Sequence, residues 1–375
     1  MSAASACRLL VASSEKSADL LYATKFFVPD DLIWFELRGK THAVLSSLEI
    51  DRARKQAQVD CLIPEISLTG ALSRKLGRRP KQEEIVEAVL RKHGVKKVLI
   101  PRDFPAGVAA WLKEKGFSIE VELEEFFPER KEKIPAEISA IQKTQRMAEA
   151  GMERAWEVLR QSRPGAKSIL FWQGQKLTSE ILRGEIDAAI IRLGGLPART
   201  IVAGGVQACD PHETGHGPLK ANEAIVLDIF PRDQATGYFG DLTRTVVKGK
   251  ASAKLKKLYQ TVLEAQEMVL NRMKPGVDGK DLHEDVFSSF TKKGYPTKQI
   301  KGRWVGFFHG VGHSLGLEIH EAPRFAATKF FPGLIMTVEP GLYYPHIGGV
   351  RIEDTVVVTE RGIRNLTRIP KFLEL

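Results

Sequence analysis

Asp228, Asp241, Glu339 and Glu353 constrain this chain more than any other feature, because each interrupts or ends a run of aliphatic and β-branched residues: AIVLD, GDLTRTVV, IMTVEP and VRIEDTVVV. A carboxylate in such a run must face solvent or be neutralised by a partner, since an unpaired buried carboxylate is too costly to keep ionised. Singly, each reads as a solvent-facing acid on an amphipathic strand. Four on four strand-like runs, with His309, His313 and His320 clustered nearby, point instead to metal. Histidine and carboxylate are the ligand types that hard and borderline divalent cations select. Two such cations would balance four carboxylates, and one imidazole completes a shell suited to Mn, Co, Fe or Zn. A metal pair of this kind polarises a carbonyl and lowers the pKa of a bridging water.

The rest of the chain divides into two parts. Its 375 residues exceed one typical domain. Residues 1–128 read as a small α/β domain: LIWFELRGKTHAVLSS alternates like strands, LSRKLGRRPKQEEIVEAVLRKHG is one charged helical stretch, and VKKVLIP is a short buried strand. FPAGVAAWLKEKG then predicts a helix closed by Gly116, with another strand after it. His42 and His93 in this half lack companion ligands in sequence and read as packing or surface residues. Residues 129–136 form a charged linker between Pro128 and Pro135. From Glu137 the spacing of Ile138, Ile141, Ala148, Met152, Trp156 and Leu159 predicts an amphipathic helix, the start of a second domain over 137–375. Within it, Thr178–Glu180 suit a helix start, two further helices end at Pro275–Gly276 and Gly294, and GLIMTVEP and VRIEDTVVVT read as strands.

Composition excludes more than it suggests. The three cysteines are too few for a disulfide framework and argue for a reducing compartment, the cytoplasm. The opening MSAASACRLLVASSEKS lacks a basic n-region and a long apolar run, so neither a signal peptide nor a membrane span is expected. The net charge of +10 could suit nucleic acid, but Lys and Arg are interleaved with Glu and carry no aromatic pattern, so no nucleic-acid partner is expected. HEAPR at His320 lacks the second histidine of HExxH, Gly310, Gly312 and Gly316 miss the GxGxxG spacing, and no phosphate-binding GxxxxGK[ST] occurs. A Cys209–His212 nucleophile pair is an incidental match in a glycine-rich stretch. Strand periodicity places Arg351 and Thr355 on the face of Glu353, and Thr243 on that of Asp241, which makes Arg351 a candidate outer partner of the site.

HGVGHSLGLEIHE, TVEPGLYYP and GGVRIEDTVVVT, preceded by LDIF and TGYFGDLTRT, resemble the pita-bread-fold metallopeptidases, specifically their proline-peptide branch of prolidases and aminopeptidases P. The resemblance implies an α+β catalytic domain with a curved, mainly antiparallel sheet, and a creatinase-like N-terminal α/β domain. It implies two divalent metal ions, manganese foremost, with Asp228, Asp241, His313, Glu339 and Glu353 as ligands. Asp241 and Glu353 would bridge both ions, and Glu339 would also serve as general base. It casts His320 as the residue that steadies the tetrahedral intermediate, His212 as the upstream catalytic histidine, and His309 and Arg351 as substrate-end residues. One departure is the thirteen-residue step from Asp228 to Asp241, longer than the common pattern, where IFPRDQAT reads as a loop inserted between hairpin strands. The expected activity is hydrolysis of the bond between an N-terminal residue and proline, by a homodimer acting on peptides. The alternatives are a metal-free creatinase-like amidinohydrolase and a non-catalytic binding module of the same fold. Methionine aminopeptidases, which generally lack the first domain, fit less well.

Overall fold

The computed structural model describes residues 6–375, so the first five residues of the N-terminal stretch lie outside it. Two compact units emerge, one ending at Pro128 and the other spanning Glu129–Leu375. No helix of the described residues is long and apolar enough to cross a membrane.

The first unit is built on a mixed six-stranded sheet, in spatial order Cys61–Pro64, Lys40–Leu45, Leu32–Leu37, Cys7–Ala12, Lys97–Pro101 and Ser118–Glu122. Leu32–Leu37 and Lys40–Leu45 form a hairpin whose two turn residues, Arg38 and Gly39, both adopt positive φ (54° and 73°). That geometry matches the natural twist of paired strands. The charged stretch expected as one helix is two, Ile66–Leu76 and Gln82–Lys92. Gly77 caps the first in the left-handed region at φ 68°, and Pro80 follows, so the backbone cannot carry one helix through. His42 and His93, distant in sequence, come together around buried Phe35: His42 stacks on its ring at 4.5 Å and His93 meets it edge-on at 5.1 Å. Both are packing residues, each holding a backbone carbonyl through Nδ1.

In the second unit every strand-to-strand pairing among the described residues is antiparallel. Three small sheets border the acidic residues. Ile225–Ile229 lies between Ile201–Gly204 and Leu242–Val246; Asp354–Val358 lies between Ile335–Val338 and Ile363–Asn365; and Gly341–Tyr344 pairs with Gly348–Arg351. The predicted amphipathic helix runs Pro135–Gln161 and buries Ile141, Ala148, Met152, Trp156 and Leu159. It packs against helix Ser179–Arg192, whose start is capped by the Thr178 hydroxyl accepting from the Ile181 amide. Gly151 permits that contact, since a Cβ there would stand 3.0 Å from Ile186. Helices Ala253–Arg272 and Gly279–Lys292 cover the C-terminal sheets through a second apolar cluster that includes Leu258, Val262, Phe290, Met336 and Val356.

The sheets are locked together by one fully buried ion pair. Arg244 donates to Asp354 at 2.8 Å and to the carbonyls of Ile369 and Glu353, so one guanidinium ties strand Leu242–Val246 to strand Asp354–Val358 and to the C-terminal segment. Removing Arg244 leaves buried Asp354 with the partly exposed Lys371, at 2.7 Å, as its remaining cation, and leaves the carbonyls of Ile369 and Glu353 without their donor. Arg244→Met should therefore lower the unfolding free energy by about 2–4 kcal/mol in urea titration, somewhat less than for a buried pair with no second cation; a loss below about 1 kcal/mol, the worth of a surface pair, would contradict this account.

Candidate metal centre

The sequence suggested that the four carboxylates lie on four strands, and the structure corrects this. Only Asp228 is inside a strand, opposite Thr243 in the register of Ile225–Ile229 with Leu242–Val246. Asp241 comes one residue before its strand, Glu339 one residue after Ile335–Val338, and Glu353 falls in the break between Gly348–Arg351 and Asp354–Val358. Inside a strand, side chains are held to alternate faces of a single sheet. At strand ends the backbone is free to turn, and carboxylates from separate sheets can converge.

They do converge. Ligand atoms of Asp241, His313 and Glu353 lie within 4.8 Å of one another. His313 Nε2 is 3.4 Å from Asp241 Oδ2 and 3.3 Å from Glu339 Oε1. The His313 Nδ1 faces the Ser314 carbonyl at 3.2 Å, which assigns the proton to Nδ1 and leaves the Nε2 lone pair aimed at the acids. Gly312 lets this loop approach: a Cβ there would fall 2.0 Å from the Thr337 carbonyl. The Thr337 hydroxyl accepts from the His313 amide at 3.0 Å and donates to Glu339 at 3.2 Å, and the Thr243 hydroxyl donates to Glu353 Oε2 at 2.7 Å.

Charge in this space is unbalanced. Burial, then Asp228 and Glu339, push the Asp241 carboxyl well above the usual range; burial, then Asp241 and Glu339, do the same to Glu353. Glu339 is raised by burial too, with His313 and Arg351 opposing. The neighbouring cation is Arg351, only 3 % exposed, which donates to Asp228 Oδ2 at 2.6 Å and to the Tyr343 hydroxyl at 3.1 Å. Burial works against its charge, but Tyr343, Asp228 and Glu339 outweigh that and hold its pKa well up. Arg351 is thus a buried brace on Asp228 and Tyr343.

The histidines form one wall. His309 Nδ1 donates to the Gly310 carbonyl at 2.7 Å, so Nε2, 2.8 Å from the Tyr343 hydroxyl, accepts. A chain of bonds then runs from Arg351 through Tyr343 to His309. Burial, then Arg351, push His309 down to about 3, and burial, then His313, push His320 down to about 4, so both imidazoles are neutral near pH 7. The His320 ring meets His313 edge-on at 4.3 Å. The loop after His320 is anchored by Glu321, which pairs with Lys133 at 2.7 Å and with Arg130, and accepts the Leu317 amide. His212 is exposed, yet near enough to His309 and His320 to oppose their protonation. His216 turns to solvent 3.7 Å from Glu213. The IFPRDQAT excursion is ordered: Arg232 bridges Phe239, and buried Asp233 accepts the Thr236 hydroxyl at 2.7 Å.

Sequence reasoning did not single out Tyr343 or Gln145. The signal for Tyr343 was the period-two step from Gly341, over which its ring folds; a Cβ at Gly341 would stand 2.5 Å from the phenol oxygen. Gln145 gave none. It reaches from the long helix to donate to the Asp241 carbonyl at 2.8 Å and accept the Asp241 amide at 2.9 Å, a long-range contact that local pattern does not carry.

The donor set fits divalent cations on its own chemistry. Asp228 Oδ1, Asp241 Oδ1 and Glu353 Oε1 are buried without any hydrogen-bond partner, a costly state for carboxylate oxygens unless a cation completes them.

The comparisons agree with this chemistry. Residues 139–360 match the model of metallopeptidase family M24, more than half of the chain, and the chain belongs to that family. Family membership implies divalent metal ions. A Xaa-Pro dipeptidase from Pyrococcus horikoshii is 36 % identical over 178 residues, which is 46 % of this chain and 48 % of that protein; the chain spans about half the length of the curated relatives it matches. Among solved structures, an X-Pro aminopeptidase from Thermotoga maritima superposes with a TM-score of 0.82 at 22 % identity, covering 99 % of this chain and 97 % of that one. A Xaa-Pro dipeptidase from Bacillus anthracis gives 0.80 at 26 %, covering 98 % and 95 %. The fold is therefore the pita-bread fold of these peptidases.

Relieving the carboxylate repulsion should stabilise the metal-free chain. Glu353→Gln keeps the shape and the Thr243 contact but removes one buried charge, so in chelator its melting temperature should rise by about 2–4 °C, the equivalent of about 1 kcal/mol. Added Mn²⁺ should then raise the variant less than it raises the parent. Equal metal-induced shifts in calorimetry would remove Glu353 from the centre.

Proposed function

We propose that the chain is a two-metal peptidase that hydrolyses the bond between an N-terminal residue and proline in dipeptides or short peptides. The observation that carries this reading is the buried meeting of Asp241, His313, Glu339 and Glu353, with orphaned oxygens on Asp228, Asp241 and Glu353. Asp228, Asp241, His313, Glu339 and Glu353 would hold the ions. When bound, such a pair supplies Lewis acidity and a water of lowered pKa. Manganese is the first choice, ahead of Co, Zn or Fe, for a donor set so rich in carboxylate oxygen. Homodimerisation and a cytoplasmic setting belong to the same reading, supported by the family resemblance and by the sparse cysteines.

The residues divide the work by their charge states. Glu339, whose carboxyl is biased toward protonation by burial, accepts the proton released as water attacks the scissile carbonyl and delivers it to the leaving proline nitrogen. Neutral His320, beside His313, donates to the oxygen on which negative charge develops. His212 stands on the same side and holds the substrate against it. The bonded series Arg351–Tyr343–His309 is rigid, so it fixes the proline end without taking part in proton transfer. A metal-free amidinohydrolase or a pure binding module gives no reason to bury four carboxylates together.

Hydrolysis of Gly-Pro and of Gly-Pro-Gly by the full chain tests the reading, with chelator abolishing turnover and Mn²⁺ restoring it. His320→Ala should keep its metal by elemental analysis and lose about 10²- to 10³-fold in kcat, the scale of one oxyanion donor. Turnover that survives exhaustive chelation, or no cleavage of any Xaa-Pro peptide with Mn, Co, Zn or Fe, would overturn it.

A further inference from the structure

The histidines of the candidate centre are held in unequal ways. His309 is bonded through both ring nitrogens and His313 through Nδ1, whereas among the described residues the His320 ring has no hydrogen bond and meets His313 edge-on at 4.3 Å. His320 is also exposed. An exposed imidazole with no bonded nitrogen is placed by its backbone, which sets the rotamers open to it.

That backbone ends in an ion cluster. Strand His313–Ser314 pairs with Glu321–Arg324, Ser314 opposite Glu321, so the residues from Leu315 to His320 form a loop closed at Glu321. The Glu321 carboxylate folds back under this loop, where Oε1 accepts the amides of Leu317 at 2.7 Å and Glu318 at 3.1 Å. Gly316 leaves room for it, since a Cβ there would stand 2.5 Å from Oε2. Two cations from the start of the second unit grip the same carboxylate: Lys133 reaches Oε2 at 2.7 Å, and Arg130 reaches Oε1 and also Glu318 at 2.8 Å. Lys133 donates in turn to the Arg130 carbonyl, and its amide donates to the Gly333 carbonyl at 2.9 Å, which ties the cationic segment to the turn before strand Ile335–Val338.

The pair is almost dry, with Lys133 1 % and Glu321 4 % exposed. Burial opposes charge on Glu321, but Lys133 and Arg130 outweigh it and hold the carboxyl below its usual value. A buried, charge-assisted cluster contributes little net stability against an apolar packing, yet it fixes geometry, because breaking one contact strands a charge. The geometry fixed here is that of the loop whose last residue is His320.

We propose that Glu321 is the positioning residue of His320: gripped by Lys133 and Arg130, it holds the loop so that the unbonded imidazole stands where charge develops on the scissile oxygen. The inference rests on the Xaa-Pro reading above, in which His320 donates to that oxygen, and adds that Arg130 and Lys133 govern turnover through the loop.

Glu321→Gln tests this, because the amide keeps an oxygen for the Leu317 and Glu318 amides but gives up the ionic grip. In Gly-Pro kinetics of the Mn²⁺-loaded full chain, kcat should fall about tenfold with KM within about twofold, the mark of a misplaced group and not of lost binding. Elemental analysis should show the parental metal content. In the His320→Ala background the same change should cost less than about twofold, since its route runs through the missing ring. Lys133→Met and Arg130→Gln should repeat the pattern with a loss of about threefold each, and they decide the matter if Glu321→Gln does not fold. Histidine-ring NMR of the chelator-stripped full chain reads the placement without turnover: the His320 signal should shift in Glu321→Gln while the His309 signal stays. Parental kcat in all three variants, an equal loss in the His320→Ala background, loss of metal, or an unmoved His320 signal would each overturn the proposal. A parent that cleaves no Xaa-Pro peptide, with the His320 signal shifting as described, would instead sink the hydrolytic reading and leave the positioning role standing.

Discussion

Negative charge gathered in a buried space is the constraint on which the second unit depends. Burial disfavours ionisation of Asp241, Glu339 and Glu353, and the neighbouring acids, Asp228 among them, add to that cost. One guanidinium, Arg351, is committed to Asp228 and Tyr343 and answers only part of that charge. The protein therefore holds together carboxylates that repel one another, an arrangement suited to the divalent cations that its family implies.

The scaffold supports the cluster through backbone and hydroxyl contacts more than through charge. Thr243, Thr337 and Thr355 stand under the acids: Thr243 donates to Glu353, Thr337 to Glu339, and Thr355 to the Asp241 carbonyl at 2.9 Å. Gln145 clamps the Asp241 backbone from the long helix, and the Arg244–Asp354 pair joins the two sheets that carry Asp241 and Glu353. Threonine can both fill the β-branched core of a strand and offer a short hydroxyl. That combination explains why the acids sit beside threonines in otherwise aliphatic runs. Close glycines do the rest, since Gly312 and Gly341 admit a carbonyl and a phenol where a Cβ could not stand.

Much of this was legible because charges out of place in apolar runs are rare. The four acids stood out on that ground, His309, His313 and His320 as a cluster close in sequence to Glu339, and helices with clear caps, such as Ser179–Arg192 behind Thr178, from pattern alone. Local pattern failed where geometry depends on distant chain. It placed Asp241, Glu339 and Glu353 within strands, whereas the site needs strand ends. It ran one helix through Gly77 and Pro80, where punctuation in the sequence was outweighed by the charged periodicity on both sides. It treated His42 and His93 separately, although sheet register and a helix end bring both onto Phe35.

The central claim is that the carboxylate cluster is a site for two cations. Calorimetric titration of Mn²⁺ into the chelator-stripped full chain, repeated in buffers of different ionisation enthalpy, addresses it most directly. The account predicts two ions per chain, with buffer-dependent heat from protons displaced off the crowded carboxyls as metal enters. A stripped chain that takes up no Mn²⁺, Co²⁺, Zn²⁺ or Fe²⁺, or that binds a single ion with no proton release, would contradict it.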